Sequence, residues 1–322
     1  MDAMNRLGMA VIGTGFWGRN HSRILSDLDN VNLACVYDLN PVRAKSVAEQ
    51  FNVQFSSNLD DVLSRKDISA VTICTPTTTH TEIAKKALKA GKHVLVEKPM
   101  TNTISEAQEI LSLADREGLR IMPGHIERFN PAVNYLRSLV DDRRLGSVIL
   151  LLARRVGRWP ERIGDVGVVR DTAIHDVDIA RFIFNDEVGS IYARVGSLKH
   201  TREDYAEIML QFVRGGTAFI DANWLAPRKT RTVVVTGSDA TVQLDYITQE
   251  ISIEDSEKIT KPNIPKQEPL RNELSHFATS ILSDDPFAVT GTDGLRAVEI
   301  CELVLQSART GQAVSLVGRT VA

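Results

Sequence analysis

The sequence predicts an α/β chain in two domains. An N-terminal doubly wound parallel sheet occupies residues 1–124, and an α+β domain with a large, mostly antiparallel open sheet fills 125–322. Three observations predict this. At 322 residues the chain exceeds the ~100–200 residues of an ordinary single core. From Leu7 to about Pro123, short β-branched runs alternate with longer helical patterns, the rhythm of βαβ units. After Phe129-Asn130-Pro131 that rhythm gives way to consecutive runs of period-two alternation separated by tight turns such as Arg214-Gly215-Gly216.

Strands are expected at Met9–Gly13, Val31–Asp38, Gln54–Ser56, Ala70–Cys74, His93–Glu97 and Arg120–Met122. Helices fall between them at Trp17–Leu25, Pro41–Phe51, Asn58–Leu63, Thr79–Ala90 and Ile104–Glu117. Pro41 suits a first helical turn, where its missing N–H would be unpaired anyway, and Gly91 and Gly118 suit helix ends. The second half opens with a helix near Ala132–Leu139, a strand near Val148–Arg155, an irregular Arg- and Gly-rich stretch and a helix near Thr172–Phe184. Six strands follow, at Ser190–Leu198, Tyr205–Val213, Thr217–Trp224, Thr230–Gly237, Thr241–Asp245 and Glu250–Ile253. Two late helices, near Arg271–Leu282 and Asp293–Thr310, are expected to cover one face of that sheet. In the strand Thr230–Gly237, Val233 and Val235 face opposite Val234, so both sheet faces carry apolar side chains. An open apolar face predicts a homodimer or homotetramer.

Composition excludes several classes. Apolar residues at 43% and charged residues at 25% are the balance of a globular protein. A net charge of −3, with no basic stretch to follow a phosphate backbone, argues against nucleic acid. The N-terminus lacks a secretory pattern, and no run approaches the ~20 apolar residues of a membrane helix, so no membrane partner and a cytoplasmic location are expected. Cys35, Cys74 and Cys301 lie too far apart to suggest a disulfide framework or a zinc cage.

Gly13-Thr14-Gly15-Phe16-Trp17-Gly18 follows an apolar strand and opens a helix. There the dinucleotide fingerprint needs glycine for a tight turn, for close pyrophosphate approach and for helix packing. Asp38 ends the second strand, where a carboxylate accepts the ribose hydroxyls of NAD and repels the 2′-phosphate of NADP. NAD is therefore the expected cofactor, with Arg43 near enough to leave NADP open.

Two further motifs, Cys74-Thr75-Pro76-Thr77-Thr78-Thr79-His80 and Glu97-Lys98-Pro99, join the later Asp171-Thr172-Ala173-Ile174-His175. With the fingerprint, these four in order resemble the Gfo/Idh/MocA family of glucose-fructose oxidoreductase and inositol dehydrogenase, over nearly the whole chain. The resemblance implies that Thr75, Pro76, His80 and Glu97 lie along the cofactor, that Lys98 reaches nicotinamide and substrate, and that Asp171 and His175 form an acid/base pair. The residues agree independently, since ligands of open α/β sheets bind beyond strand carboxyl ends and Gly13, Asp38, Thr75 and Lys98 all occupy such ends. Asp171 and His175 are four apart on one helix face, which Asp178 continues. Imidazole titrates near neutrality and can take the proton that a hydroxyl loses as its hydride leaves. A metal would need three converging ligands, and none is expected.

The segments Gly124–Pro131 and Asp165–Asp171 look like UDP-N-acetylglucosamine 3-dehydrogenases and related nucleotide-sugar enzymes of that family, which implies oxidation of a ring hydroxyl to a 3-keto sugar. Arg128 and Asn130 join the expected substrate ligands. Arg154, Arg155, Arg158 and Arg162 form a possible diphosphate clamp, because guanidinium forks match phosphate oxygens. The alternative for these arginines is a set of surface salt bridges. Two other readings of the chain stay open: an inositol or free-sugar dehydrogenase, which needs no clamp, and a non-catalytic NAD-binding regulator, against which the presence of Lys98, Asp171 and His175 argues.

Overall fold

The computed structural model describes residues 6–160 and 164–316. The first half runs β1 (Leu7–Ile12), α1 (Phe16–Leu25), β2 (Val31–Tyr37), α2 (Pro41–Phe51), β3 (Gln54–Ser56) and α3 (Leu59–Leu63). It continues with β4 (Ala70–Ile73), α4 (His80–Lys89), β5 (His93–Glu97), α5 (Ile104–Glu117) and β6 (Ile121–Gly124). All six strands are parallel, in the order β3-β2-β1-β4-β5-β6. The direction of travel reverses between β1 and β4, the switch point at which such sheets open a crevice. β1 is buried on both faces, as a central parallel strand must be. Capping residues set the helix limits: Asn40 accepts from Val42 and Arg43 ahead of Pro41, and Thr103 with Glu106 closes a capping box on α5.

Beyond Gly124 come α6 (Pro131–Asp141), β7 (Val148–Arg158), α7 (Ile174–Phe184), β8 (Val188–Gly196), β9 (Tyr205–Phe212) and β10 (Thr217–Asn223). The chain then forms β11 (Leu225–Gly237), β12 (Ala240–Asp245), β13 (Glu250–Asp255), β14 (Ile259–Thr260), α8 (Pro269–Ser283), α9 (Gly291–Thr310) and β15 (Val314–Ser315). The nine strands order as β14-β13-β12-β11-β7-β10-β9-β8-β15. Every neighbouring pair is antiparallel except β7 with β10. One face buries Leu151, Ala153, Ile208, Leu210, Ala218, Ile220, Val233 and Val235. The other presents Leu152, Phe219 and Val234 in adjacent register, with Leu152 and Phe219 more than two-fifths exposed.

The chain divides into two compact units, one up to His125 with Leu270–Val298, the other Ile126–Pro269 with the chain from Glu299 on. Here the structure corrects an expectation. α8 does not cover the nine-stranded sheet; it belongs with the parallel one, where Arg271 pairs with Asp27 at 2.5 Å and Asn30 donates to Thr279 at 3.1 Å. Its periodicity shows an apolar face, and Phe277 is fully buried, but periodicity does not say which sheet receives it. β14 and β15, two residues each, are too short for any alternation signal.

Candidate active site

In the first unit the three loop glycines do three separate jobs. Gly13 has φ +92°, a left-handed turn, and a methyl there would lie 2.7 Å from Thr75 Cγ2. A methyl on Gly18 would lie 1.7 Å from the Gly13 carbonyl oxygen, so α1 can start only with glycine at that point. At Gly15 a methyl would meet nothing within 4 Å, which leaves that side clear for a ligand. Gly15 also caps α1 without any side-chain bond, so the helix offers uncommitted N–H groups to an anion. A cavity of about 580 Å³ adjoins the loop, lined by Thr14, Gly15, Phe16, Asn40, Val42 and Arg43.

Asp38 is tied to this loop. Its Oδ2 accepts from the Thr14 backbone N and hydroxyl, both at 2.9 Å, and its Oδ1 accepts from Asn40 N at 2.9 Å. Three of the roughly four acceptor positions of a carboxylate are thus in use, leaving capacity for a ribose hydroxyl. Arg43 stands 3.5 Å away on an exposed stem.

From Thr75 the contacts continue toward Lys98. The His80 ring bridges two turns, with Nδ1 2.9 Å from the Pro99 carbonyl and Nε2 2.9 Å from the Thr75 carbonyl. The Lys98–Pro99 peptide is cis. Glu97 is buried, with Oε1 3.0 Å from His21 Nε2 and Oε2 accepting from Lys98 N at 3.2 Å. Burial alone would raise the Glu97 carboxyl; the His21 hydrogen bond and the charges of His21, Lys98 and His80 together hold it below its ordinary value. Cys74 goes the other way, since burial and then the Glu97 charge push its thiol well above normal. A thiol held neutral in this way is a poor nucleophile. The unit therefore gathers Gly13, Thr14, Asp38, Thr75, His80, Glu97 and Lys98 through direct contacts, and these residues fit a dinucleotide.

In the second unit Asp171 sits in a π-helical turn, Val169–Ala173, that leads into α7. It is buried, its N–H bonds the Gly167 carbonyl at 3.0 Å, and its Oδ2 accepts from the Thr172 hydroxyl at 3.1 Å. His175 follows in the first turn of α7, half-buried. The carboxylates after it are committed elsewhere. Asp176 takes a bidentate pair from Arg155 at 2.7 and 3.0 Å, and Asp178 takes one from Arg128 at 2.8 and 2.6 Å.

That commitment revises the expected substrate ligands. Arg128 has little exposed surface and lies between Asp178 and the Phe182 ring. Asn130 is fully buried, capping α6 and donating to Glu127 and the Tyr246 carbonyl. Both hold structure. Among the described arginines of the expected clamp, strand alternation sends the neighbours Arg154 and Arg155 to opposite faces. Arg154 pairs with Asp221 on the open face at 3.0 Å, whereas Arg155 is buried on the other with Asp176 and Glu127. Arg158 is exposed and donates to the Pro227 carbonyl, and Arg162 lies outside the described residues. Sequence analysis gave no sign that Glu127 would meet Arg155 and Arg231, or Trp224 meet Thr172. Arg231 lies 3.9 Å from Glu127 on a strand whose irregular start no local pattern announces.

Residues 7–125 match the family described as "Oxidoreductase family, NAD-binding Rossmann fold", and residues 133–243 match the "GFO/IDH/MocA C-terminal domain". The chain belongs to the Gfo/Idh/MocA oxidoreductase family. As a member it is an NAD-dependent oxidoreductase, of a family whose relatives are sugar and polyol dehydrogenases. It is 28% identical to the UDP-N-acetylglucosamine 3-dehydrogenase of Acidithiobacillus ferrooxidans, over 92% of this chain and 95% of that one. It is 27% identical to the inositol 2-dehydrogenase of Rhizobium meliloti, covering 95% of this chain and 98% of the other. The solved structure of the Acidithiobacillus enzyme superposes with a TM-score of 0.88, covering 95% of this chain and 98% of that one at 27% identity. Among the described residues no helix is long and apolar enough to cross a membrane.

Proposed function

We propose that this Gfo/Idh/MocA member oxidises a ring hydroxyl of a nucleotide sugar, C3 of UDP-N-acetylglucosamine, to the ketone. NAD, held by Gly13, Thr14, Asp38 and Thr75, would supply the hydride acceptor. His175 takes the hydroxyl proton, Asp171 orients the imidazole and favours its charged form, and the Lys98 ammonium steadies developing alkoxide charge. The observation that carries the acid/base assignment is Asp171 itself, a buried carboxylate held by a donated hydroxyl one helical turn before His175. Likeness to the Acidithiobacillus enzyme supports the sugar.

The separate partners of Arg154, Arg155 and Arg158 favour a second reading, a polyol or free-sugar dehydrogenase like the Rhizobium relative. NADH formation across UDP-N-acetylglucosamine, other UDP-sugars, myo-inositol and glucose separates the two. Faster turnover of UDP-N-acetylglucosamine than of myo-inositol is expected. The reverse ranking would make this a polyol enzyme.

We also infer a homodimer or homotetramer built on the open sheet face. Across it run an apolar row, Tyr192, Met209, Phe219, Leu152 and Val234, and beside it a charged row, Arg194, Glu207, Asp221 and Arg154. A row carrying both signs can meet its own copy about a two-fold axis. Light scattering at micromolar concentration should give at least twice the 35.6 kDa chain mass; a monomer contradicts it.

A further inference from the structure

We propose that Trp224 and Thr172 form a directed hydrogen-bond relay that positions the Asp171 carboxylate, an inference that rests on reading Asp171 as part of the acid/base pair. Trp224 Nε1 lies 2.9 Å from Thr172 Oγ1, and Thr172 Oγ1 lies 3.1 Å from Asp171 Oδ2. Chemistry fixes the direction at both ends. An indole N–H only donates, so the threonine oxygen accepts there. An ionised carboxylate only accepts, so the same hydroxyl gives its single proton to Asp171. Threonine within a helix commonly turns its hydroxyl back to a carbonyl one turn earlier. Here the indole occupies its acceptor side and the carboxylate takes its proton, so Thr172 is held in one rotamer and holds Asp171 in turn.

The indole is itself anchored. Trp224 is buried, and its backbone N donates to the Asp204 carbonyl at 2.9 Å. Its ring meets Trp159 edge-on at 4.6 Å, and Trp159 stacks on His200 at 3.6 Å. The Asp204 carboxylate gathers the backbone N–H groups of Leu198, Lys199 and His200, which fixes the loop that carries His200. An unbroken set of contacts thus runs from the turn between β8 and β9 to Asp171. The π-helical turn, which leaves the regular ladder at Val169–Ala173, is where a side chain needs such outside support. A hydrogen bond to an ionised group is about twice as strong as a neutral one, so the last link carries the most weight.

The test compares NAD reduction across Asp171→Asn, Thr172→Val, Thr172→Ser and Trp224→Phe. The sugar is saturating UDP-N-acetylglucosamine, or myo-inositol where that is the sugar turned over. Thr172→Val should lower kcat about tenfold, the scale of one charge-assisted hydrogen bond, with the sugar KM and NAD Kd nearly unchanged. Thr172→Ser should restore it, and Trp224→Phe, which keeps an aromatic ring of smaller size and loses the donor, should fall in the same direction. Separately, the indole N–H resonance of Trp224, identified among three tryptophans by its loss in Trp224→Phe, should move upfield in Thr172→Val and stay in place in Thr172→Ser. Full turnover of Thr172→Val beside a slow Asp171→Asn overturns the relay and leaves the acid/base pair standing. Equal losses in the Val and Ser variants overturn it as well, because packing and not the hydroxyl would then be at issue. Full turnover of Asp171→Asn overturns the acid/base reading and, with it, any catalytic use of the relay.

Discussion

Asp38 joins a proposed ribose role, legible in the sequence, to a bonding role in the fold that is not. Its place at the end of β2 announces the ribose; its bonds to the Thr14 N–H and hydroxyl become visible only when the loop after β1 is folded against it. Asp38→Ala is therefore expected to do more than narrow the preference for NAD over NADP. It should also weaken NAD binding itself, because the phosphate loop loses the acceptor that holds it. Titrating both cofactors into the wild type and the variant checks this, and an unchanged NAD Kd would leave Asp38 with the ribose role alone. The arginines teach the converse. Four of them within nine residues look like one patch, yet the period of two in β7 places Arg154 and Arg155 on opposite faces. A cluster in sequence is a cluster in space only when the local period allows it.

At the scale of elements, the placement of α7 depends on a buried charge network. Arg155, on β7, reaches Asp176 on α7 and Glu127 ahead of α6, with its guanidinium 4.7 Å from the Tyr246 ring centre. Burial, and then the Asp176 charge, push the Tyr246 phenol well above its ordinary value, so it stays neutral beside them. Replacing one partner strands the others. Arg155→Met should cost about 3–5 kcal/mol in urea unfolding, the usual penalty for leaving buried carboxylates uncompensated. A loss below about 1 kcal/mol would mean that the network is not what seats α7. The elements themselves were mostly legible. Alternation and capping residues gave every strand of the parallel sheet and the helices between them to within a few residues. What sequence could not give was the partner of an amphipathic helix: α8 carries a clear apolar face, and only Asp27, Asn30 and the parallel sheet beside them show where it packs. The π-helical turn before α7 was likewise invisible, because no local pattern in Val169–Ala173 announces one.

For the whole molecule, we propose that Lys98, Asp171 and His175 all serve one NAD-dependent oxidation. The order of four motifs along the chain made the class of reaction readable, while the sugar depends on contacts that alternation and burial redistribute. The relatives span both nucleotide sugars and inositols at nearly equal identity. The most direct test is turnover of His175→Ala against the wild type, under saturating NAD and UDP-N-acetylglucosamine, with NAD affinity measured in parallel. General acid–base catalysis contributes about 10²–10⁴-fold, so kcat should fall by that order while the NAD Kd stays within about twofold. Undiminished turnover in His175→Ala would contradict the account.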